Sequence, residues 1–260
     1  MLPDYPSAFW ISAVSAVTLV GIAKAGFGGG VGIVATPLMA LTIPVGDAAA
    51  LMLPLLIICD FFAVRHYRNR FHVTSIRRLL PGAVVGIGIG ALFFGYFSGN
   101  ERVLQVGLGV LSVVFVVYQL SRAVLMGALL HRQPGAAEGV GMGVVAGFTS
   151  TLAHAGGPPA AIYLLPQRLN RELFVGTTVV FFAVVNLIKL APYAALGLLR
   201  TGNLMTTMLL APLAYVGVRL GIALNKRFTE TWFNRLIYTI LFFTGVQLIL
   251  GRSLLLWFLQ

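Results

Sequence analysis

The residues best suited to chemistry sit in two stretches, Lys24-Ala-Gly-Phe-Gly-Gly-Gly and Ser150-Thr-Leu-Ala-His154-Ala-Gly-Gly, both embedded in apolar sequence. Each combines an ionisable side chain with a glycine cluster: Gly28, Gly29 and Gly30 in the first, Gly156 and Gly157 in the second. Glycine costs about 1 kcal/mol relative to alanine inside a helix, so such clusters predict breaks from which a new half-helix starts. The N-terminus of a half-helix offers free backbone N–H groups and the positive end of the helix dipole. With no side chain in the way, those groups close on a small anion. Pro158 and Pro159 suit the first turn after the second break, where no donor is required. Lys24, Thr36, Ser150, Thr151 and His154 would add charge and hydrogen-bond donors. The predicted chemistry is recognition of an anion, and catalysis is not expected. Ser150 and His154 are four residues apart, yet no G-x-S-x-G elbow or paired acid accompanies them. The chain has one cysteine, Cys59, and no Cys/His pattern, so neither a metal nor a cofactor is expected. No GxxxxGK[ST] loop for ATP is present.

The elements that must position these groups are membrane helices. The chain is 58% hydrophobic and 10% charged, against about 25% charged in soluble proteins. Apolar runs at 8–23, 31–43, 47–64, 79–97, 103–121, 138–153, 157–166, 173–192, 203–222 and 234–251 are bounded by charges. Such runs mark membrane helices, although 157–166 falls short of the roughly 20 residues a crossing needs. Trp10, Trp232 and Trp257, near run ends, read as interfacial anchors. The net charge of +11 lies in short loops, so nucleic acid is not an expected partner, while the bilayer is. The opening MLPDYP has no basic segment or cleavage site of a removed signal peptide. Arg65, Arg68, Arg70, Arg77 and Arg78 make the loop between 64 and 79 cytoplasmic by the positive-inside rule. Alternation agrees with the other arginines if 138–153 and 157–166 form a re-entrant hairpin. The same reasoning makes 8–23 and 31–43 a hairpin entered from an external N-terminus.

Asp60, Asn186 and Lys189 lie inside apolar runs. Ionisable groups at membrane depth are functional by default. Asp60, Lys189 and His154 are therefore candidates for coupling to a proton, and Asn186 for contacting the anion. Structural readings stand beside these: Asp60 paired with Arg65 about one turn away, Lys189 snorkelling to the outer surface, the glycines serving only close packing. Gly86, Gly88 and Gly90 fit that last reading, and Cys59 fits a small buried hydrophobe.

Placing GFGGGVGIVATPLM over AHAGGPPAAIYLLP superposes Gly29-Gly30 on Gly156-Gly157. Asp60 then falls near Asn186, Pro81 near Pro212 and Gln119 near Gln247. Each half would hold a hairpin and three crossings, an odd number, so the halves would insert in opposite senses. The expected fold is an all-α polytopic membrane protein of two inverted repeats, residues 1–125 and 126–260, forming one integral membrane domain.

GFGGGVGIVATPLM and the later GFTSTLAHAGGPPAAIYLL resemble the two repeat signatures of the TauE/SafE sulfite exporter family, over nearly the whole chain. The resemblance implies a multi-pass permease of the cytoplasmic membrane. Its cargo would be a small sulfur-containing anion such as sulfite or a sulfonate, moved by alternating access. An anion channel is the nearest alternative, and an intramembrane enzyme a remote one. A proton as coupling ion and a second copy of the chain are further candidate partners.

Overall fold

The computed structural model describes residues 5–26, 32–129, 133–199, 201–225 and 230–251. Ten α-helices account for most of these: α1 Ser7–Gly26, α2 Ala35–Ala40, α3 Val45–His66, α4 Val73–Phe97, α5 Glu101–Leu129, α6 Ala136–Ala153, α7 Gly157–Leu164, α8 Arg171–Ala195, α9 Thr201–Asn225 and α10 Glu230–Leu250. Five of them are long and apolar enough to cross a membrane: α1, α3, α4, α5 and α8. The protein is an all-helical membrane protein, as composition requires.

Each apolar run holds a helix, with informative differences at the boundaries. Helix α4 begins at Val73, six residues before the run, because Arg77 and Arg78 lower hydropathy without breaking a helix. Helix α5 likewise continues past 121 to Leu129. The run 31–43 is not one helix: a 3-10 turn at Gly32–Val34 leads into the six-residue α2, and Pro44 then opens α3 as its N-cap. Helix α8 is capped by Asn170, whose side chain accepts from the Leu173 N–H at 2.8 Å.

Helices α6 and α7 double back on each other. A Cβ on Gly139, near the start of α6, would lie 2.9 Å from Arg78 Cβ and 3.0 Å from Tyr163 Cζ, near the end of α7. Just past α7, Gln167 accepts from the Ser75 hydroxyl at 2.7 Å. Both ends of this hairpin therefore lie at the end of the molecule that holds the α3–α4 loop. Arg70 of that loop pairs with Glu172 of α8, and the His72 N–H donates to Thr177 Oγ1 at 2.8 Å. Helices α1 and α2 double back at the opposite end, where Ser12 Oγ and Thr42 Oγ1 meet at 3.1 Å. There the Val45 N–H donates to Glu101 at 2.8 Å. At 1.5 Å per residue, the 14 steps from Gly139 to Ala153 carry the hairpin tip roughly 21 Å inward.

The principal helix pairs are α4 with α6, α1 with α9, α5 with α10, and α3 with α8 and α9, while α4 also packs on α8. Glycines set the closest of these. A Cβ on Gly86 or Gly82 would fall onto the Val144 or Val140 carbonyl of α6, and one on Gly90 onto Thr151. Gly86 and Gly90 therefore serve packing, whereas Gly88 faces open space. The largest core cluster joins α1, α2, α3, α5, α9 and α10, with Phe94 of α4 and Ala153 of α6, and includes Cys59, which is buried and acts as a small apolar residue. Trp10 packs edge-on against Phe9 and Tyr5.

Candidate functional site

The polar residues of the apolar runs meet between α1, α3, the α6–α7 break and α8. On α8, Asn186, Lys189 and Tyr193 are spaced by three and four, which puts them on one helix face. That face turns inward: Asn186 is 3% exposed, Lys189 and Tyr193 0%. On α3, Leu56 and Asp60 share a face by the same spacing, and Asp60 is 3% exposed. Lys24 sits in the last turn of α1.

Lys24 Nζ lies 2.5 Å from Asp60 Oδ1 and donates to the Leu56 carbonyl at 3.3 Å. Asn186 Nδ2 donates to Asp60 Oδ2 at 2.7 Å. Asp60 is thus held by Lys24, 36 positions away. The alternative pairing with Arg65 does not occur: Arg65 is exposed at the end of α3, because five residues along a helix is past the facing positions. Lys189 does not snorkel. Its Nζ donates to the Ser150 carbonyl at 3.0 Å and lies 3.0 Å from Ser150 Oγ and 2.8 Å from His154 Nδ1.

His154 ends α6 in the left-handed conformation, φ 52°, with its N–H donating to the Ser150 carbonyl and the Ala155 N–H to the Thr149 carbonyl. A non-glycine residue there costs about 1–2 kcal/mol. The ring bonds offset that cost, since Nε2 lies 3.1 Å from the Ala49 carbonyl of α3. The carbonyl only accepts, so Nε2 carries the hydrogen and Nδ1 accepts from Lys189. Tyr193 pins the same turn from α8, its hydroxyl donating to the Thr151 carbonyl at 2.7 Å. Gly156 caps α7. A Cβ on it would meet the Ala146 carbonyl oxygen at 2.7 Å and Phe182 at 2.8 Å, so the second break has a packing reason as well. Pro158 and Pro159 bring no N–H to the first turn of α7. The N–H groups of Gly156 and Gly157 remain as those without an intrahelical acceptor.

A cavity of about 30 Å³ lies among these groups, lined by Lys24, Leu56, Ser150, His154, Gly157, Phe182 and Asn186. That exceeds the roughly 10–15 Å³ needed to hold one water, so the cavity has room for a small group. Counted formally, Lys24 and Asp60 cancel, His154 is neutral and Lys189 carries one positive charge.

The structure gathers Lys24, Ser150, His154, Gly157 and Asn186 on the cavity, with Asp60 and Lys189 directly behind its wall. Thr151 is buried with its hydroxyl turned to the Gly147 carbonyl at 2.9 Å, and Thr36 is buried on α2 with no partner for Oγ1. Neither is among the lining residues. Gly28, Gly29 and Gly30 lie outside the described residues. Phe182, Leu56 and Tyr193 are part of the site although sequence reasoning passed over them. Their signal was helical spacing: Phe182 is four before Asn186, Leu56 four before Asp60, Tyr193 four after Lys189. A family model described as Sulfite exporter TauE/SafE matches residues 13–248. No curated protein and no solved structure matches the chain.

Proposed function

The chain belongs to the sulfite exporter TauE/SafE family, and from that premise we propose that it is a secondary transporter moving a small sulfur-containing anion, sulfite or a related sulfonate, across the cytoplasmic membrane by alternating access. The observation that carries the reading is the cavity lined by Lys24, Ser150, His154, Gly157 and Asn186, behind whose wall lie Asp60 and Lys189, so that among the described residues two lysines stand against one carboxylate. A formal excess of one positive charge, with convergent N–H and O–H donors, complements a small anion and would repel a cation. Charged groups at such depth are costly and mark substrate pathways.

Alternating access is supported by the way the halves pack. Exchanging α1–α5 for α6–α10 turns the α1–α9 pair into the α6–α4 pair and the α3–α9 pair into the α8–α4 pair, and returns α5–α10 and α3–α8 to themselves. The two hairpins open at opposite ends of the molecule. Both facts fit repeats 1–125 and 126–260 inserted in opposite senses, with the anion held where the hairpin tips meet. The arginines of the α3–α4 loop, with Arg168 and Arg171, mark the cytoplasmic end and put the N-terminus outside.

The test is counterflow. Liposomes holding the purified full chain and loaded with unlabelled sulfite are diluted into labelled sulfite. A carrier gives a transient overshoot of label inside, which the Gly157→Leu variant should lack. Monotonic equilibration with no overshoot would indicate a channel, and no flux of sulfite, thiosulfate or methanesulfonate would end the anion reading.

A further inference from the structure

Among the described residues of the cluster, Lys189 is an ionisable group whose ammonium touches no carboxylate. Asp60 is taken by Lys24 and Asn186. The three contacts of Lys189 end on uncharged atoms: the Ser150 carbonyl oxygen, Ser150 Oγ and His154 Nδ1. An ammonium buried without a counter-charge costs several kcal/mol. The ionisable groups around it are Lys24 from α1, Asp60 from α3, His154 at the end of α6 and Tyr193 one turn along α8. The Tyr193 hydroxyl is committed to the Thr151 carbonyl and His154 Nε2 to the Ala49 carbonyl.

We propose that Lys189 is a proton-binding site coupled to the anion cavity through the hydroxyl of Ser150, so that one proton travels with each anion. This rests on the anion-transport reading. Two of the three bonds at Nζ have a fixed direction, because the Ser150 carbonyl and His154 Nδ1 only accept. The third is reversible. As an ammonium, Nζ donates to Ser150 Oγ, and the Ser150 O–H is left to point into the cavity that Ser150 lines, where it donates to an anion. As a neutral amine, Nζ keeps two hydrogens for the fixed acceptors and offers one lone pair. The Ser150 O–H turns back to that lone pair, and only oxygen lone pairs then face the cavity, which repels an anion. Uptake forms one N–H bond from that lone pair and a proton of the solution. Release breaks the same bond toward the other side, and nothing is oxidised or reduced. Proton and anion therefore strengthen each other's binding by the same factor. Lys189 does not line the cavity itself, so it acts as a positioning residue for Ser150.

The experiment uses the full chain in liposomes, with the membrane potential clamped at zero by potassium and valinomycin and an inward proton gradient imposed. Labelled sulfite and labelled methanesulfonate are followed, the latter because its sulfonate stays ionised and brings no proton of its own. Protein-free liposomes correct for leakage. The natural chain should accumulate a transported anion up to about tenfold per pH unit, the limit for one proton per anion. Lys189→Met and Lys189→Arg should only equilibrate it, while Lys189→Arg keeps an anion-induced rise in unfolding temperature. Accumulation by both variants at the natural level would overturn the proposal. So would counterflow in the natural chain with no response to the proton gradient, a result that leaves the transport reading standing. Loss of the anion-induced rise in both variants would make Lys189 part of the anion's own binding set and overturn it as well. If the natural chain moves no anion in counterflow, the transport reading fails first and this proposal with it.

Discussion

Asn186 donates to Asp60 across 2.7 Å, and the two residues fall near each other when the halves of the sequence are superposed. The contact lies at the α3–α8 crossing, beside the cavity, where the proposed inverted repeats would meet. Asp60 brings a charge there and Asn186 brings donors. Lys24 pairs with Asp60, whereas Lys189 meets Ser150 and His154.

The Lys24–Asp60 pair separates structural from functional burial. Both side chains are at most 7% exposed, and removing one partner of a buried pair costs about 3–5 kcal/mol by leaving the other uncompensated. Lys24→Met and Asp60→Leu should each lower the unfolding temperature of the detergent-solubilised chain by many degrees. The double variant should recover more than half of that loss. Strictly additive losses in the double-mutant cycle would show that the two charges do not compensate each other.

Gly157 and Gly156 are neighbours with different predicted outcomes. Gly157 lines the cavity, so Gly157→Val fills space that an anion needs. It should abolish anion-induced stabilisation while leaving the ligand-free unfolding temperature within a few degrees. Gly156→Ala drives a methyl group against the Ala146 carbonyl and Phe182, and should cost about 1–3 kcal/mol by overpacking with or without ligand. Thermal unfolding with and without 10-fold steps of sulfite reads both, and matching behaviour of the two variants would contradict the assignment.

Much of this was legible in the sequence because hydropathy and glycine clustering are local signals. Helix number, the break after Ala153 and the membrane setting follow from them directly. The partner of Asp60 was not, since Lys24 lies 36 residues away and ion pairs across helices leave no periodic trace; Arg65 only appeared nearer. The start of α4 was hidden for a different reason. Arg77 and Arg78 are good helix formers but poor membrane residues, so hydropathy marks the apolar length of α4 and misses its first two turns. Lys189 read equally well as buried or snorkelling until Ser150 and His154 were seen to meet it.

The glycines of α4 offer a matched comparison of packing and open space. Gly82 sits where a Cβ would overlap the Val140 carbonyl, whereas Gly88 has nothing near it. Gly82→Val should destabilise the chain by about 1–3 kcal/mol or more. Gly88→Ala should be neutral or stabilise by up to about 1 kcal/mol through helix propensity. Expression yield and thermal unfolding of the two variants would check this, and a severe loss in Gly88→Ala would mean that another surface covers that face of α4.

Orientation is testable at the two ends that the hairpins define. Arg68 lies exposed in the α3–α4 loop, and Ser98 lies exposed just after α4. In a Cys59→Ser background, Ser98→Cys should react with a membrane-impermeant maleimide added to intact cells. Arg68→Cys should react only after the cells are opened. Arg65, Arg68, Arg70, Arg77 and Arg78 cluster at one end and would be retained in the cytoplasm during insertion. The reverse labelling pattern would place the N-terminus inside and invert the direction in which each hairpin enters the membrane.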